Sequence, residues 1–268
     1  MSVLNESEAI KIEGLYKKYR TGQFGASTLL ESLENWLARK RGLEEPNLKI
    51  GVPKLQNEEF WALQGIDLSV NEGDRLGIIG SNGAGKSTLL KLICRITAPT
   101  AGSIAYRGRI TSMLEVGTGF NPEMTGRENI YLNGTILGLT ERQIDERLDE
   151  IIEFSEVADF IDTPVKRYSS GMYVKLAFSV TSHFDSEIMI MDEVLAVGDA
   201  KFREKCMNRM LGMAKDGKHT ILFVSHNREQ VEMLCNRAVV LKKGRLLMQG
   251  SVKEAFDFYE NRYNDADV

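Results

Sequence analysis

The chain has 268 residues, 43% of them hydrophobic and 27% charged, with a net charge of −4 at neutral pH. This length allows one large domain or two subdomains around a buried core. The acidic balance argues against nucleic acid as a partner, because nucleic-acid-binding surfaces are usually basic. No apolar run approaches the roughly 20 residues that span a bilayer, and the acidic start of the chain is unlike a secretory signal. Three widely spaced cysteines predict neither a disulfide framework nor a zinc site, so we expect a cytoplasmic protein with buried or unreactive thiols.

The first part of the chain predicts strands. The segment Phe60–Val70 partly alternates between apolar and polar residues, and a turn at 71–74 leads into the apolar strand Arg75–Ile79. An insertion of about forty residues, at 20–59, interrupts this pattern. Its middle, about 28–41, predicts an amphipathic helix, because Thr28 and Glu31 have capping-box spacing. The apolar face of this helix consists of Leu29, Leu30, Leu33, Trp36 and Leu37. Such a face suits a membrane interface, or it packs on its own domain or on a partner.

The segment Gly80–Ser87 fills every fixed position of the phosphate-binding pattern G-x-x-x-x-G-K-[ST]. It follows an apolar strand and precedes a predicted helix whose buried face contains Leu89, Leu90, Ile93 and Ile96. Glycines let backbone N–H groups surround phosphate oxygens at a helix N-terminus. Lys86 is expected to reach the β- and γ-phosphates, and the Ser87 hydroxyl to bind Mg²⁺. The residues assigned to the nucleotide here are Gly80, Ser81, Asn82, Gly83, Ala84, Gly85, Lys86, Ser87 and Thr88.

The second half of the chain predicts a parallel sheet with crossover helices, because strands and helices alternate there. A helix at 140–154 begins with a capping box formed by Thr140 and Gln143, and another helix follows Gly171. A last helical stretch covers Val252–Tyr263. The predicted strands are Ile188–Met191, Thr220–Val224 and Ala238–Leu241.

Two further sequence features accompany the phosphate-binding loop. The apolar strand at 188–191 ends in Asp192 and Glu193, a pair suited to holding Mg²⁺ and polarising water. The segment Tyr168–Met172 places small and hydroxyl residues at the start of a helix, which makes a second anion-binding surface. Asp192 follows Gly171 by 21 positions (192 − 171). This order of motifs resembles the ATP-binding subunits of ABC transporters over essentially the whole chain.

The resemblance implies an α/β fold, a P-loop NTPase of the ABC nucleotide-binding type. Its parts are a β-rich N-terminal subdomain, a RecA-like core and an inserted helical subdomain at about 121–183, all within one domain spanning 1–268. The signature segment is YSSGM, at 168–172, where most members have LSGGQ. Together with the segments 114–120, 125–130 and 192–199, it is similar to exporters of O-antigen, capsular and teichoic-acid polysaccharides. No C-terminal carbohydrate-binding domain is expected.

The resemblance also assigns roles to single residues. Tyr19 corresponds to the aromatic residue that stacks on adenine, and Asp199 to the loop that communicates across the dimer. Glu115 stands where most members have glutamine and is expected to contact Mg²⁺ or its water. Glu193 and His226 are the expected catalytic residues, acting on water and on the γ-phosphate. The expected metal ligands are Ser87, Asp192 and Glu115, and the signature residues of the second subunit are Ser169, Ser170 and Gly171.

The function expected from this resemblance is ATP hydrolysis that drives export of lipid-linked polysaccharide across the cytoplasmic membrane. The expected cofactors are ATP and Mg²⁺. The expected partners are a second copy of the chain and an integral membrane permease subunit, with the protein on the cytoplasmic face of the membrane. A transporter subunit for another substrate remains the alternative, because substrate choice depends largely on the membrane partner.

Overall fold

The computed structural model describes residues 4–20, 59–113, 117–184, 186–192 and 199–261, with only the backbone described at Asp192. The strands are β1 (Glu8–Arg20), β2 (Glu59–Asn71), β3 (Arg75–Ile79), β4 (Ala101–Tyr106), β5 (Ile110–Ser112), β6 (Ile188–Asp192), β7 (Thr220–Val224), β8 (Arg237–Lys242) and β9 (Arg245–Ser251). The α-helices are α1 (Lys86–Ile93), α2 (Gly126–Ile136), α3 (Glu141–Ser155), α4 (Ser170–His183), α5 (Ala200–Lys215), α6 (Arg228–Leu234) and α7 (Val252–Asn261).

The strands form two sheets. An antiparallel sheet has the order β2-β1-β4, and a six-stranded sheet has the order β5-β6-β7-β3-β8-β9. In the larger sheet, β5, β6, β7, β3 and β8 run parallel, and only β9 at the edge is antiparallel. Parallel strands require crossover connections, which the helices supply. The prediction of a parallel sheet with crossover helices is therefore confirmed.

Side chains pack into three buried clusters. One lies between the antiparallel sheet, α1 and one face of the large sheet, and includes Leu63 and Leu89. A second covers the opposite face of the large sheet with residues of α5, α6 and α7. The third belongs to the helices between β5 and β6, and its members include Ile130, Ile144 and Phe184. This third cluster gives the helical segment its own core.

The helix starts follow the capping residues in the sequence. Thr140 caps α3, and both hydrogen bonds of its capping box with Gln143 are present, as predicted. The structure corrects the prediction for α1, because Ile96 does not extend its buried face. That helix ends at Ile93, Arg95 has a positive φ of 58°, and Ile96 is 46% exposed.

One other helix boundary differs slightly from the prediction, and the predicted end of the last helix lies outside the described residues. The helix expected after Gly171 begins two residues earlier, at Ser170, since the side chain of Ser169 accepts a hydrogen bond from the Met172 N–H and caps it. The last helix is described to Asn261. The predicted helix at 28–41 lies outside the described residues. Within the described residues, no helix combines the length and apolar character needed to cross a bilayer.

Strand register determines which residues meet at the carboxyl edge of the large sheet. Asp192 of β6 pairs with Val224 of β7, and Val224 pairs with Ile78 of β3. The three strands therefore end at the same level of the sheet. The candidate site lies at this edge, where the end of β6 at Asp192, the Ser225–His226 segment after β7 and the glycine-rich loop after β3 come together.

Candidate functional site

The glycine-rich loop depends on two residues without side chains. A Cβ on Gly80 would lie 2.5 Å from the carbonyl oxygen of Leu241. Gly85 has a φ of +107°, and a Cβ there would lie 2.7 Å from the carbonyl oxygen of Ala62. The loop is thus packed against β8 and β2 so closely that only glycine fits at both positions. The Gly244 N–H also donates to the Ala84 carbonyl at 2.9 Å, which fixes the loop to the β8–β9 turn.

Helix α1 begins at this loop without a capping side chain. Its N-cap residue is Gly85, and no side-chain hydrogen bond closes the first turn. Helices α2 to α6, in contrast, each have a side-chain cap, and Ser251 accepts a hydrogen bond from the Glu254 N–H at the start of α7. The first N–H groups of a helix bear partial positive charge and need an acceptor. A phosphate oxygen satisfies that need, so the α1 terminus fits a nucleotide triphosphate.

Lys86 lies against the same loop. Its ammonium donates to the carbonyl oxygens of Gly80 (2.7 Å) and Ser81 (3.0 Å). These bonds keep the cation at the loop where the phosphates of a nucleotide would bind. Ser87 follows on the first turn of α1 with an exposed side chain, and Thr88 is partly buried. The position of the loop between β3 and α1 matches the prediction from the sequence.

His226 follows β7 at the same sheet edge, and its side chain is exposed. The neighbouring residues fix the turn. The Asn227 N–H donates to the Ser225 hydroxyl at 3.0 Å, and the Asn227 side chain accepts from the Gln230 N–H at 3.1 Å to cap α6. Ser225 is fully buried and donates to Gln230 Oε1 at 3.1 Å. The strand end and the helix cap together hold His226 beside the end of β3.

The signature segment forms the exposed N-terminus of α4. Ser169 and Ser170 are exposed, and Gly171 is partly exposed. A Cβ on Gly171 would meet nothing closer than Ser169 Oγ at 3.9 Å. The Tyr168 hydroxyl instead turns into the helical segment and donates to the Phe160 carbonyl at 2.8 Å. Burial raises the pKa of Tyr168, so the phenol stays neutral. The tyrosine anchors the segment, and Ser169 to Gly171 form an open surface.

Asp199 caps α5 and is joined to α4 by a residue that the sequence did not single out. Its carboxylate accepts from the Phe202 N–H at 2.9 Å and from Lys175 Nζ at 3.0 Å. The hydrogen bond from the Phe202 N–H is the main cause, and the one from Lys175 the second, that lower the pKa of Asp199 to about 2. Lys175 also donates to Glu156 at 2.6 Å, at the left-handed C-cap of α3. Lys175 therefore connects three helices, α3, α4 and α5. The one sequence signal that could have pointed to Lys175 is its position on the signature helix, three residues after Met172.

Tyr19 lies near the end of β1, beside the start of β2. It pairs in register with Phe60, and the two rings are stacked with centroids 5.7 Å apart and an interplanar angle of 27°. The Lys17 ammonium lies 5.0 Å from the centroid of the Tyr19 ring. The next pair, Arg20 and Glu59, forms an ion pair at 2.9 Å. The two ends of the insertion thus leave the sheet side by side, next to Tyr19.

Two predicted site residues lie outside the described part of the chain, and a third is described only in part. They are Glu115 and Glu193, and for Asp192 only the backbone position at the end of β6 is described. The structure brings together the glycine-rich loop, Asp192 and His226 at one sheet edge, and it places the signature segment on the separate helical core.

Two histidines and two cysteines without an expected role are buried: His183, His219, Cys206 and Cys235. His183 is buried with Nδ1 2.7 Å from the Ser179 carbonyl, and burial lowers its pKa. His219 is buried as well, with Nδ1 2.7 Å from the Ser186 carbonyl. Burial raises the pKa of the Cys206 and Cys235 thiols to about 12, which makes them unreactive at neutral pH.

The parallel sheet, the open phosphate-binding loop and the converging strand ends define a P-loop nucleotide-binding protein. The ABC transporter family model matches residues 63–196, half of the chain. The chain belongs to the ABC transporter family, and it is an ATP-binding ABC ATPase.

Curated relatives agree with this assignment. The ABC transporter protein AbcA of Aeromonas salmonicida is 50% identical over 77% of this chain and 67% of its own length. The O-antigen export system ATP-binding protein RfbB of Klebsiella pneumoniae is 48% identical over 77% of this chain and 83% of its own length. The teichoic acids export ATP-binding protein TagH of Enterococcus faecalis is 45% identical over 76% of this chain. The match spans only 46% of that last relative.

Solved structures confirm the fold class. The ATP-binding cassette MJ0796, in a dimeric post-hydrolysis state bound to ADP and Pi, superposes with a TM-score of 0.67 at 19% identity, covering 91% of this chain and 98% of that one. An ATP-binding subunit of an ABC transporter superposes with a TM-score of 0.69 at 20% identity, covering 97% of this chain and 95% of that one. At this identity the likeness concerns the fold alone.

Proposed function

We propose that this ATPase drives export of a lipid-linked polysaccharide, of the O-antigen kind, across the cytoplasmic membrane. The uncapped N-terminus of α1, at the same sheet edge as Asp192 and His226, carries the ATP-hydrolysing part of the proposal. The polysaccharide part is supported by relatives at 45–48% identity whose names specify O-antigen and teichoic acid export. A transporter for a different substrate is the alternative, and the export experiment below separates the two.

In the proposed reaction, the chain mainly positions the phosphates and neutralises their charge. Lys86 and the N–H groups at the start of α1 bind the β- and γ-phosphates. Ser87 and Asp192, with Glu115, are the proposed Mg²⁺ ligands, since hydroxyl and carboxylate oxygens suit this ion. Bound Mg²⁺ would neutralise phosphate charge. Glu193 orients the attacking water, and His226 contacts the γ-phosphate.

Two copies are proposed to act together. The surface formed by Ser169, Ser170 and Gly171 is exposed, and Ser169 already uses its hydroxyl to cap its own helix. The other N–H groups in the first turn of α4 belong to this exposed surface, where a γ-phosphate held by a second subunit could accept from them. Loss of that phosphate on hydrolysis removes a bridge between the subunits, which links the reaction to opening of the dimer.

The proposed dimer works beneath an integral membrane permease subunit, on the cytoplasmic face of the membrane. The single chain is proposed to act as one ATPase domain, with the helical segment at about 121–183 as a subdomain. The third buried cluster supports this subdivision, because it joins α2, α3 and α4 to one another. The insertion at 20–59 is proposed to place its predicted amphipathic helix near the entrance for the lipid-linked substrate.

Hydrolysis is tested with Glu193→Gln in the purified protein. We expect ATP binding to persist while turnover falls by about 100-fold or more, because the amide cannot act on water as the carboxylate does. The ATP-bound variant should also elute as a dimer. Glu204→Gln, an exposed change on α5, is the matched control and should behave as the parent. Parent-like turnover in Glu193→Gln would remove Glu193 from the proposed mechanism.

Export is tested in cells that lack the gene and carry the parent or the Glu193→Gln gene. Without hydrolysis, lipid-linked glycan should accumulate inside the cell and disappear from the surface, while the parent restores surface glycan. Normal surface glycan in the absence of the gene, with another compound retained inside, would favour the alternative substrate and overturn the polysaccharide assignment.

A further inference from the structure

The aromatic residue expected to stack on adenine, Tyr19, is not alone on its face of the sheet. Residues that pair across antiparallel strands project to the same face, as do residues two apart in one strand. Tyr19 pairs with Phe60, and Lys17 pairs with Leu63. Lys17 contacts the Tyr19 ring, so all four side chains share one face.

That face is turned towards the phosphate-binding loop. The Leu63 side chain lies so close to Gly85 that a Cβ there would be 2.8 Å from Leu63 Cδ2. Leu63 itself is fully buried against α1. Phe60 precedes Leu63 by three residues in β2 and is on the order of 10 Å away at the usual strand rise. This spacing is suited to a nucleotide whose phosphates bind at Gly85 and whose base lies over Phe60 and Tyr19.

Exposure distinguishes the two rings. The Lys17 ammonium lies over Tyr19 and is itself held by Thr97 Oγ1 at 2.9 Å and the Ala98 carbonyl at 2.7 Å. Tyr19 is only partly exposed, whereas Phe60 is 50% exposed. The larger accessible aromatic surface therefore belongs to Phe60, and a flat apolar ring suits a purine base.

We propose that Phe60 contacts the base of ATP and, with Tyr19, forms the aromatic surface on which adenine stacks. This inference rests on the proposed nucleotide-binding role of the Gly80–Ser87 loop and of Tyr19. Phe60 adds affinity for the base, and the loop binds the phosphates. The two contributions can be measured separately, because inorganic tripolyphosphate carries the phosphates without a base.

The test compares Phe60→Ala with Tyr19→Ala and Trp61→Ala by calorimetry with ATP and with tripolyphosphate. Trp61 is the matched control, since it is 44% exposed, neighbours Phe60 and projects to the opposite face with Lys18. We expect Phe60→Ala to weaken ATP binding about tenfold and to leave tripolyphosphate binding unchanged. Trp61→Ala should change neither affinity.

Three other outcomes would each overturn the inference for Phe60. If Tyr19→Ala weakens ATP binding and Phe60→Ala does not, the inference for Phe60 is wrong and the role of Tyr19 stands. If Phe60→Ala weakens ATP and tripolyphosphate equally, its effect is on folding, and the inference is overturned. If neither ring affects ATP affinity, the base binds elsewhere. Phe60→Leu distinguishes the contribution of the aromatic ring to ATP affinity from that of side-chain size. An aliphatic side chain of similar bulk should recover little of the lost affinity.

Discussion

Helices α1 and α4 differ in how the N–H groups of the first turn find hydrogen-bond acceptors. Helix α1 begins at Gly85 with no capping side chain, whereas α4 begins with Ser169, whose hydroxyl accepts from the Met172 N–H at 3.2 Å. Both starts are rich in small residues, and Ser87 of α1 and Ser169 and Ser170 of α4 are exposed. Only the first lies at the carboxyl edge of the parallel sheet. Because α1 has no capping side chain, its first N–H groups need an acceptor from outside the helix. The Ser169 cap lets α4 form without such an acceptor.

This difference fits the proposed dimer, in which the two helix N-termini would form two parts of one shared site. A phosphate bound at α1 completes that helix as a capping residue would. At α4 the Ser169 cap holds the first turn in advance, so in the proposed dimer a second subunit would meet a surface that is already shaped. Substitutions at the first terminus should affect nucleotide binding, and those at the second should affect turnover without affecting folding.

Lys86→Ala should give the largest effect, because it removes the cation beside the uncapped terminus. We expect ATP hydrolysis to fall by about 100-fold or more, since a lost charge at transferring phosphates costs several kcal/mol. Added ATP should no longer raise the melting temperature. Phosphate release and thermal unfolding with and without ATP measure both effects.

The control for this change is Lys91→Ala, an exposed lysine in the last turn of the same helix. It removes an equal charge far from the loop and should leave hydrolysis within twofold of the parent. Equal losses in the two variants would show that overall charge, and not the position of Lys86, matters. Hydrolysis near the parent level in Lys86→Ala would contradict the site assignment.

Gly171→Ala should give the next effect, at the capped terminus. The added methyl group meets nothing within the chain closer than 3.9 Å, and alanine favours helix by up to about 1 kcal/mol. Stability should therefore stay the same or rise slightly. Turnover should fall about tenfold, because the methyl group occupies the space of a closely apposed phosphate. Denaturant unfolding and the saturating hydrolysis rate measure the two quantities.

Gly212→Ala is the matched control, since Gly212 lies within α5 and a Cβ there would also meet open space. It should raise stability in the same way and leave hydrolysis unchanged. If Gly171→Ala hydrolyses ATP as fast as Gly212→Ala, the signature surface does not approach a nucleotide.

Lys175→Met should give a smaller effect, because it weakens the connection between the signature helix and Asp199 without touching the nucleotide. The variant loses the bonds to Asp199 and Glu156, and we expect a three- to tenfold lower saturating rate with an unchanged Kd for ATP. Asp199 has a lowered pKa, of about 2, so its ion pair with Lys175 is complete at neutral pH and is lost only as the pH falls towards that value.

Lys175→Arg preserves the charge and should recover most of the rate, whereas Lys201→Met, at an exposed position on α5, should resemble the parent. A purely structural role would predict lower stability in Lys175→Met with a normal rate per folded molecule. That result would limit Lys175 to folding.

The contrast between these sites also shows what the sequence could predict. The glycine-rich loop, the capping box at Thr140 and the strand before Asp192 are contiguous patterns, and each was found where expected. Their convergence at one edge followed from the alternation of strands and helices. The Lys175 connection was not predictable in this way, because Asp199 lies 24 positions further along the chain and Glu156 lies 19 positions before it.

Local signals also failed where the backbone departed from regular geometry. The apolar residue Ile96 continued the spacing of α1, but the chain turns through a positive φ at Arg95 and leaves the helix. The alternating pattern places Phe60 in a strand, but the pairing of Phe60 with Tyr19 depends on a register shift between Lys17 and Lys18 that no periodicity encodes. Contacts between strands separated by an insertion require the folded chain.

Thr140→Ala should give the smallest effect. Thr140 caps α3, and we expect this cap to serve folding alone, in contrast to the uncapped start of α1. Its side chain accepts from the Gln143 N–H, and losing a threonine cap costs about 1 kcal/mol. The free energy of unfolding should fall by that amount, with an unchanged rate of hydrolysis per folded molecule. Arg142→Ala, which removes an exposed ion pair with Glu146 on the same turn, should cost less than half as much. A loss of hydrolysis in Thr140→Ala beyond the loss of folded protein would show that this terminus also takes part in function, and its cap could no longer be assigned to folding alone.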